Sequence, residues 1–400
     1  MASASAPAVE QGGWKLPQFK GRPGWEFTDI TGLDLAAYER VGAEVAAAPD
    51  GAAGADMVAG AEPLWQLAGD GGLPEGVIVG TLDDAGHQEL VQRHLGSLVS
   101  DDDVFVALND AGVRAGAFVY VPRNVVLEEP ISLTSVQART GTLLNQRTLV
   151  VLEEGAQAEV WEQFLSGSGE VDGVFNTVTE LVVGQGARLR YVCGQGLSEK
   201  SWIFGAQRAE VGRDAALDWV ALGFGSARGH VRMETRLVGE GAEARVTGAY
   251  ASHARQHIDF DTTQEHAAPN TTSDLAFRGV LTGRSTAVWK GNIIVDPGAQ
   301  KTDAFQESRN LLLSKRAHAD AIPGLEIQAN DVRCTHAAAV AQVDPEQLFY
   351  LRSRGLPLEV AKRLVIEGFL SALVERFEQG PVRERLSEAL ERRLAQILGE

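Results

Sequence analysis

The stretch ELVVGQGARLRYV (residues 180–192) contains a short apolar strand, a tight polar turn at Gly186 and a second strand with alternating side chains. Alternation with a period of two is typical of a strand that buries one face. The turn glycine permits the left-handed backbone conformation that many tight turns require. The stretch is therefore a strand–turn–strand unit, and the fold depends on how often the chain repeats it.

The same unit recurs at least six times between residues 149 and 323. Its turn residues are separated by 31, 28, 27, 42 and 33 positions. Such a period is typical of solenoids, in which each coil covers the apolar face of its neighbour. A β-sandwich is the competing architecture, but the recurring unit favours a stacked β-helix. The turn residues are Gly155, Gly186, Asp214, Gly241, Gly283 and Arg316.

One spacing in this series is long. The 42 residues between Gly241 and Gly283 include ASHARQHIDFDTTQEHAAPNTTSD (251–274). We interpret this stretch as an insertion, or as a coil with a longer loop.

Helical patterning is nearly absent from residues 101–343, which predicts the extent of the β-helix core. Residues 1–13 are predicted to be a disordered tail. Residues 14–100 are predicted to form a small α+β region. Within it, DLAAYERVGAEVA (34–46) reads as a helix, and residues 71–96 read as a strand followed by a helix.

Residues 344–400 are predicted to form a small helical domain. Asp344 suits a helix cap and Pro345 suits the first helical position, and two further helices begin near Pro357 and Pro381. The last helix has an apolar stripe on one face. Packing on the chain's own helices is favoured for this stripe, and a partner-binding surface is the alternative. The stripe consists of Leu386, Leu390, Leu394 and Ile397.

The composition restricts the class of partner. The chain has 54 acidic and 36 basic residues and a formal net charge of -18. This balance argues against nucleic acid and against an anionic membrane as the main partner. Two cysteines, Cys193 and Cys334, cannot build a disulfide framework. No secretory signal and no stretch long enough to span a membrane is evident, so we expect a cytoplasmic protein.

Motifs that carry chemistry are sparse. The chain has no G-x-x-x-x-G-K-[ST] sequence, so no nucleotide is expected to bind this chain, and any ATP would be bound by another. His253 and His257 are four residues apart, and His266 follows. In an extended strand four residues span about 13 Å, too far for one ion to bridge. We interpret these histidines as structural or surface groups.

Asp259 and Asp261 alternate onto one strand face. Polysaccharide-cleaving enzymes use paired carboxylates of this kind, so one alternative function is a β-helix carbohydrate-active enzyme with an acidic groove. The helical tail and the missing signal sequence count against it. Another alternative is a purely structural β-solenoid adaptor without metal chemistry.

Cys334 and His336 lie two residues apart in DVRCTHAAAV (331–340). In a strand, such side chains point to the same face and can share a metal such as iron or zinc. A buried cysteine beside a polar histidine is the commoner explanation of this pattern. Two ligands do not close a tetrahedral site, so any metal or cluster needs further ligands from elsewhere in the chain or from a second subunit.

Several stretches resemble the SufB/SufD family of iron–sulfur cluster assembly scaffolds. The most specific are RGVLTGRSTAVWKGNIIVDPGAQKTDAFQESRNLLLSKRAHADAIPGLEI (278–327) and NDVRCTHAAAVAQVDPEQLFYLRSRGL (330–356), and RPGWEFTDI (22–30) and FVYVPRNVVLEEPISL (118–133) are also similar. The Cys-x-His segment is similar to the SufD branch of the family. That branch commonly has glycine after the histidine, whereas this chain has Ala337.

The resemblance implies a right-handed parallel β-helix with flanking helical regions and a non-catalytic scaffold role. It implies pairing with SufB along the final coils and docking of the SufC ATPase on the C-terminal helices, which makes the last helices a partner surface. It also implies that His336, with Cys334 as a second candidate ligand, holds transient iron or iron–sulfur cluster at the subunit interface. Without SufB, such a scaffold could pair with itself as a homodimer through the same edge.

Overall fold

The computed structural model describes residues 9–11, 14–17, 24–42, 65–67, 73–99, 103–112 and 116–398. Strands make up 47% of the chain, so the protein is mainly β, as predicted. Five short strands and two helices precede the repeating part. They are β1 (Val9–Gln11), β2 (Trp14–Leu16), β3 (Glu39–Gly42), β4 (Trp65–Leu67), β5 (Ile78–Thr81), α1 (Gln88–His94) and α2 (Val104–Gly112).

The repeating part consists of strands that belong alternately to two sheets. The strands of the first sheet are β6 (Ala117–Val121), β8 (Thr142–Leu152), β10 (Gly173–Val183), β12 (Trp202–Val211), β14 (Arg228–Leu237), β16 (His257–His266), β18 (Thr286–Val295) and β20 (His318–Ile327). Those of the second are β7 (Ile131–Gln137), β9 (Gln157–Ser166), β11 (Arg188–Gly196), β13 (Ala216–Gly223), β15 (Glu243–Ser252), β17 (Thr272–Leu281), β19 (Asp303–Leu312) and β21 (Arg333–Gln342).

Each coil contributes one strand to each sheet. Even-numbered strands from β6 to β20 follow one another across the first sheet, and odd-numbered strands from β7 to β21 do so across the second. Neighbours in both series are parallel and in register. Because parallel strands need a crossover, this order means that the chain winds through both sheets in turn. The predicted parallel β-helix is confirmed, with about eight turns.

Backbone hydrogen bonds between successive turns connect the coils along one edge. The N–H of Gly155 donates to Gln185 O at 2.8 Å, and the N–H of Gly186 donates to Arg213 O at 2.8 Å. The residues in this series have positive φ and recur every 27 to 31 positions. The full series is Asn124, Gly155, Gly186, Asp214, Gly241, Asn270 and Lys301.

The long spacing in the sequence is not an insertion. Asn270 is the turn residue that follows Gly241 on this edge. Gly283 and Arg316 lie in turns at the opposite edge, where odd-numbered strands lead into even-numbered ones. The stretch 251–274 contains the full-length strand β16 and an ordinary turn. Both edges of a coil use the same turn chemistry, so residue type alone does not reveal to which edge a turn belongs.

Two local predictions outside the coils are wrong. The predicted helix at residues 34–46 has only a 3-10 turn at Leu35–Ala37, followed by β3, which pairs with β8; residues 43–46 lie outside the described part. Helix α2 lies inside the range in which helical patterning is nearly absent, and it packs on the first sheet through Phe105 and Leu108. Tertiary contacts override local pattern in both places.

The other predictions for the N-terminal part had different outcomes. The strand and helix expected within residues 71–96 are present as β5 and α1. Of the tail predicted at residues 1–13, β1 pairs with β2, and the remainder lies outside the described residues.

Three helices follow the last strand: α3 (Pro345–Ser353), α4 (Leu358–Val374) and α5 (Pro381–Leu398). Asp344 caps α3 by accepting from the N–H of Glu346 at 2.8 Å. Apolar side chains of α4 and α5 pack on Val192, Val220 and Ala249, on the outer face of the second sheet. The helices therefore cover part of the solenoid rather than standing apart from it.

The interior of the solenoid contains a buried acid in its second coil. Glu162 is 1% exposed and accepts hydrogen bonds from the hydroxyls of Thr148 and Tyr191. Burial raises the pKa of Glu162 to about 7, although these hydrogen bonds oppose the shift. Cys193 lies in the same cluster, and its thiol pKa is also raised by burial and by Glu162.

Glu162→Gln is expected to raise the urea midpoint of unfolding above about pH 7 and to change it little near pH 5. The folded state holds the Glu162 proton up to a higher pH than the unfolded chain, whose ordinary pKa is 4.5. Stability is therefore lost as pH rises through the folded-state value, on the order of 2 to 3 kcal/mol. Exposed Glu129, replaced in the same way, is the control. An equal effect of Glu162→Gln at both pH values would contradict the raised pKa of Glu162 in the folded state.

Candidate functional site at the open end of the solenoid

Strand β21 ends the second sheet and contains both predicted site residues. It pairs with β19 on one side, with Cys334 beside Ala304 and His336 beside Gln306. Among the described residues no strand pairs with its other edge. The last rung of the solenoid thus presents backbone N–H and C=O groups, and with them the Cys-x-His segment, at an open end.

The register defines the face on which the two side chains lie. In-register parallel strands orient their side chains alike. Ala304 belongs to a buried apolar cluster, and Gln306 is 0% exposed. Cys334 and His336 therefore lie on the inner face, at the mouth of the solenoid. Cys334 is half-buried against that cluster, whereas His336 is exposed because no further coil covers it.

The thiol is the weaker of the two candidate ligands. Burial, and then the negative charge of Asp303, raise the pKa of Cys334. Metals bind the thiolate rather than the thiol, so this environment disfavours the ligating form near neutral pH. Ala337 is accommodated in the strand without positive φ.

The chain does not supply a complete ligand set at this place. Within the part of the chain that the structure describes, no group of three or more His, Cys, Asp or Glu side chains could hold a metal ion. His336 and Cys334 would therefore need ligands from outside these residues.

The three central histidines are separated, each in its own hydrogen-bonded setting. His253 Nε2 lies 2.5 Å from Glu199 Oε1, and His257 Nε2 lies 3.0 Å from the Thr28 hydroxyl. His266 is 0% exposed between Thr271 and Ser273, and burial lowers its pKa to about 4. The interpretation as structural or surface groups is confirmed.

The acid pair does not form an open groove. Asp259 is 3% exposed, accepts from Thr28 and lies 3.0 Å from His230 Nδ1. Burial raises its pKa, but His230, the Thr28 hydrogen bond and His257 together outweigh burial, so the pKa of Asp259 is lowered overall. Asp261 lies 3.3 Å from Lys290 Nζ. The carbohydrate-enzyme alternative therefore loses its candidate acids.

The segment that covers Asp259 comes from the N-terminal region. Residues 24–37, here called the strap, cross the outer face of the first sheet. Trp25 stacks on Phe105 at 5.4 Å and lies 4.4 Å from the His230 ring. Arg228 Nη1 donates to the Asp29 carbonyl oxygen at 2.8 Å. The GWEFTD segment thus fastens the N-terminal region to the middle coils.

The apolar stripe of the last helix is not a free surface. Leu386, Leu390, Leu394 and Ile397 are all at most 8% exposed in the cluster beneath α4 and α5. The expectation that this stripe binds a partner is therefore wrong, and packing on the chain itself is confirmed for it. The exposed apolar side chains lie instead on α3 and the first half of α4. These five residues, here called the helical patch, are Phe349, Tyr350, Leu358, Val360 and Leu364.

The helical patch had little signal in the sequence. Phe349 and Tyr350 occur in a short helix with few other apolar residues. The sequence of such a helix does not indicate which of its faces is buried. At the open end, Ile322, Ile327 and Val340 are also exposed. Their exposure follows from their place on the last coil, which periodicity alone does not reveal.

The chain is an open-ended β-solenoid with Cys334 and His336 on its last rung and with C-terminal helices packed on its second sheet. The family model "SUF system FeS cluster assembly, SufBD core domain" matches residues 134–369, and "SufBD protein N-terminal region" matches residues 65–133. The chain belongs to the SufBD family of the SUF system for iron–sulfur cluster assembly.

Individual relatives agree with this assignment. The chain is 33% identical to the iron–sulfur cluster assembly protein SufD of Bacillus subtilis over 312 residues, 77% of this chain and 71% of the relative. It is 32% identical to a SufBD family protein of Mycobacterium tuberculosis over 70% of this chain and 72% of the relative. A SufBD family protein of Synechocystis is 26% identical over 95% of this chain and 88% of the relative.

No helix among the described residues has the length and apolar character needed to cross a membrane.

The two cysteines are expected to differ in reactivity. Iodoacetamide should label Cys334 in the native protein, slowly at about pH 7 and faster at about pH 10, because the thiolate is the nucleophile. Cys193 is buried and should be labelled only after unfolding. Mass spectrometry of tryptic peptides gives both rates. Labelling of Cys193 in the native protein would contradict its burial. A labelling rate at Cys334 that does not change with pH would contradict its raised thiol pKa.

Proposed function

We propose that this chain is the SufD-type scaffold subunit of a SufBCD complex, with iron or nascent cluster held at its boundary with SufB. The observation that carries the proposal is the open last coil, which exposes His336 on the inner face without a complete ligand set. Ligands divided between two chains form a site only when the chains are paired. The cluster is the cargo of this site and not a resident cofactor.

The free edges of β20 and β21 support pairing with SufB. Each strand has one neighbour among the described residues, so each can accept a strand from another chain. Exposed Ile322, Ile327 and Val340 would be buried by such a contact. A second copy of this chain could use the same edges when SufB is absent.

His336 is the leading ligand in this proposal. A neutral imidazole nitrogen is a suitable ligand for iron, and its exposure leaves it accessible from the partner side. Cys334 is half-buried with a raised pKa, so we assign it a secondary role.

His336→Ala should lower iron–sulfur cluster formation in the reconstituted complex by at least about tenfold, because removing even a hydrogen-bonding partner of a metal ligand typically has an effect of this size. Cys334→Ala should cost less. Absorbance of the assembled cluster and its transfer to an apo-ferredoxin give the readout. Size-exclusion chromatography must show that both variant complexes remain intact. Undiminished assembly by an intact His336→Ala complex would exclude the ligand role.

The helical patch is the docking surface that we propose for SufC. Phe349 is 75% and Tyr350 57% exposed, and solvated aromatic side chains of this kind are enriched at protein interfaces. The patch lies on α3 and α4, away from the buried leucines that fix α5 to the solenoid.

Contacts between the C-terminal region and the solenoid suggest how nucleotide hydrolysis by SufC could act on the site. Arg376 Nη1 donates to Asp274 Oδ1 at 3.2 Å, and Arg393 Nε donates to the Ala251 carbonyl at 3.0 Å. The C-terminal region is therefore fastened to the fifth and sixth of the eight coils, two coils before the open end. A force on the helical patch would move those coils together with the helices and so change the spacing at the subunit boundary.

Val360→Glu with Leu364→Glu should weaken SufC binding by at least about tenfold, because charges would enter an apolar contact. Both positions are exposed, so the fold should be retained. Val126→Glu is a control for a single added charge at an exposed apolar position, since Val126 is 52% exposed on the first coil. Deleting the helices is a poorer test, because it would uncover Val192, Val220 and Ala249. Unchanged SufC affinity, measured by calorimetry, would refute docking at the patch.

A further inference from the structure

Three arginines stand at the same distance before the strand starts of three successive coils, although the last of the three turns is one residue longer. His257, Thr286 and His318 are in-register partners at the start of β16, β18 and β20. Arg255, Arg284 and Arg316 each stand two residues before one of these partners. Lys315 precedes Arg316 in the last of the three turns. These four residues are here called the basic ridge.

The turns that carry the basic ridge are stacked by hydrogen bonds. The N–H of Arg284 donates to the Ala254 carbonyl at 2.7 Å, and the Ser314 hydroxyl donates to the Gly283 carbonyl at 2.6 Å. Adjacent strands of a sheet lie about 4.8 Å apart. Like charges at directly neighbouring positions destabilise a sheet, so the column is not explained by the stability of the fold.

The ridge cations have no acidic partners within the chain as the structure describes it. All four are exposed, and none forms an ion pair with a described residue. Three turns of other coils differ. Arg123 pairs with Glu154, Lys200 pairs with Glu170, and Arg213 Nη2 lies 3.8 Å from Glu240. In those turns an acid from an adjacent coil neutralises the cation.

The ridge is suited to carboxylates on a protein surface rather than to a small phosphate ligand. Phosphate cradles use free backbone N–H groups, but the N–H groups of Arg284, Ser285 and Ala317 already donate to carbonyls of the turns. The cations form an extended exposed row instead. Carboxylates three or four residues apart on a helix lie about 5 to 6 Å from one another, which matches the spacing of the coils.

We propose that the basic ridge docks an acidic α-helical segment of a partner protein. The ridge ends in the last coil, so the docked segment would lie beside the open end of the solenoid. Because the chain carries a net charge of -18, it repels an acidic partner in general. Attraction at the ridge therefore directs such a partner to this one edge.

A fluorescein-labelled helical peptide rich in glutamate tests the proposal by fluorescence anisotropy. It should bind the full-length chain with an affinity that falls as salt is added. Arg255→Glu with Arg284→Glu should weaken binding by at least about tenfold. Arg188→Glu with Lys301→Glu is the matched control, because it changes the charge equally at exposed cations of the opposite edge. No binding, or an equal loss in both variants, would overturn the proposal.

The single variant Arg284→Glu separates binding from folding. It places a carboxylate between Arg255 and Arg316, so it should raise the thermal midpoint while weakening peptide binding. A lower midpoint together with weaker binding would mean that Arg284 serves the fold, and would count against the proposal.

Carbodiimide coupling locates the bound peptide. Glutamate carboxylates held on the ridge should be cross-linked to the Lys315 amine, and much less to Lys301 on the opposite edge. Mass spectrometry identifies the linked lysine. Cross-linking at Lys301 in preference to Lys315 would overturn the assignment. Competition gives a second test, with tripolyphosphate, a single-stranded oligonucleotide and unlabelled peptide compared at equal concentrations of negative charge. If either phosphate compound displaces the labelled peptide at a lower concentration than the unlabelled peptide does, the ridge binds phosphate and the proposal is overturned.

Discussion

The rest of the structure depends on in-register parallel pairing between successive coils. Each strand satisfies its backbone groups through the coils before and after it, and each inner side chain stacks on its equivalent. The first sheet is closed at its start by β5, which pairs with β6 antiparallel. At the other end β20 and β21 have no such cover among the described residues. The candidate site therefore lies where the repeating interaction stops, and His336 is exposed on this last rung.

The sequence predicted the architecture well because strand–turn–strand units carry a local signal. Gly155, Gly186 and Asp214 mark one edge of the solenoid correctly. The sequence did not distinguish the two edges of the solenoid, since Gly283 has the same left-handed backbone as the turn residues of the other edge. The prediction of a helix at residues 34–46 was wrong because the pairing of β3 with β8 outweighs the local helical preference.

The candidate site was only partly predictable. The placement of Cys334 and His336 on one strand face follows from their spacing, but their position on the final rung depends on the count of coils. The raised pKa of Cys334 depends on packing against residues such as Ala304. Burial of Leu390 and exposure of Phe349 both depend on which helix lies against the second sheet, and an amphipathic pattern cannot identify its partner.

The contacts of the strap imply an order of folding events during synthesis of the protein. Thr28 hydrogen-bonds His257 and Asp259, which follow it by 229 and 231 positions. During translation at about 5 to 20 residues per second, roughly 10 to 50 s pass between the synthesis of these groups. The coils can stack as they leave the ribosome, because each needs only its predecessor. The Thr28 contact must wait for the sixth coil, so this part of the strap can attach only after most of the solenoid has been built.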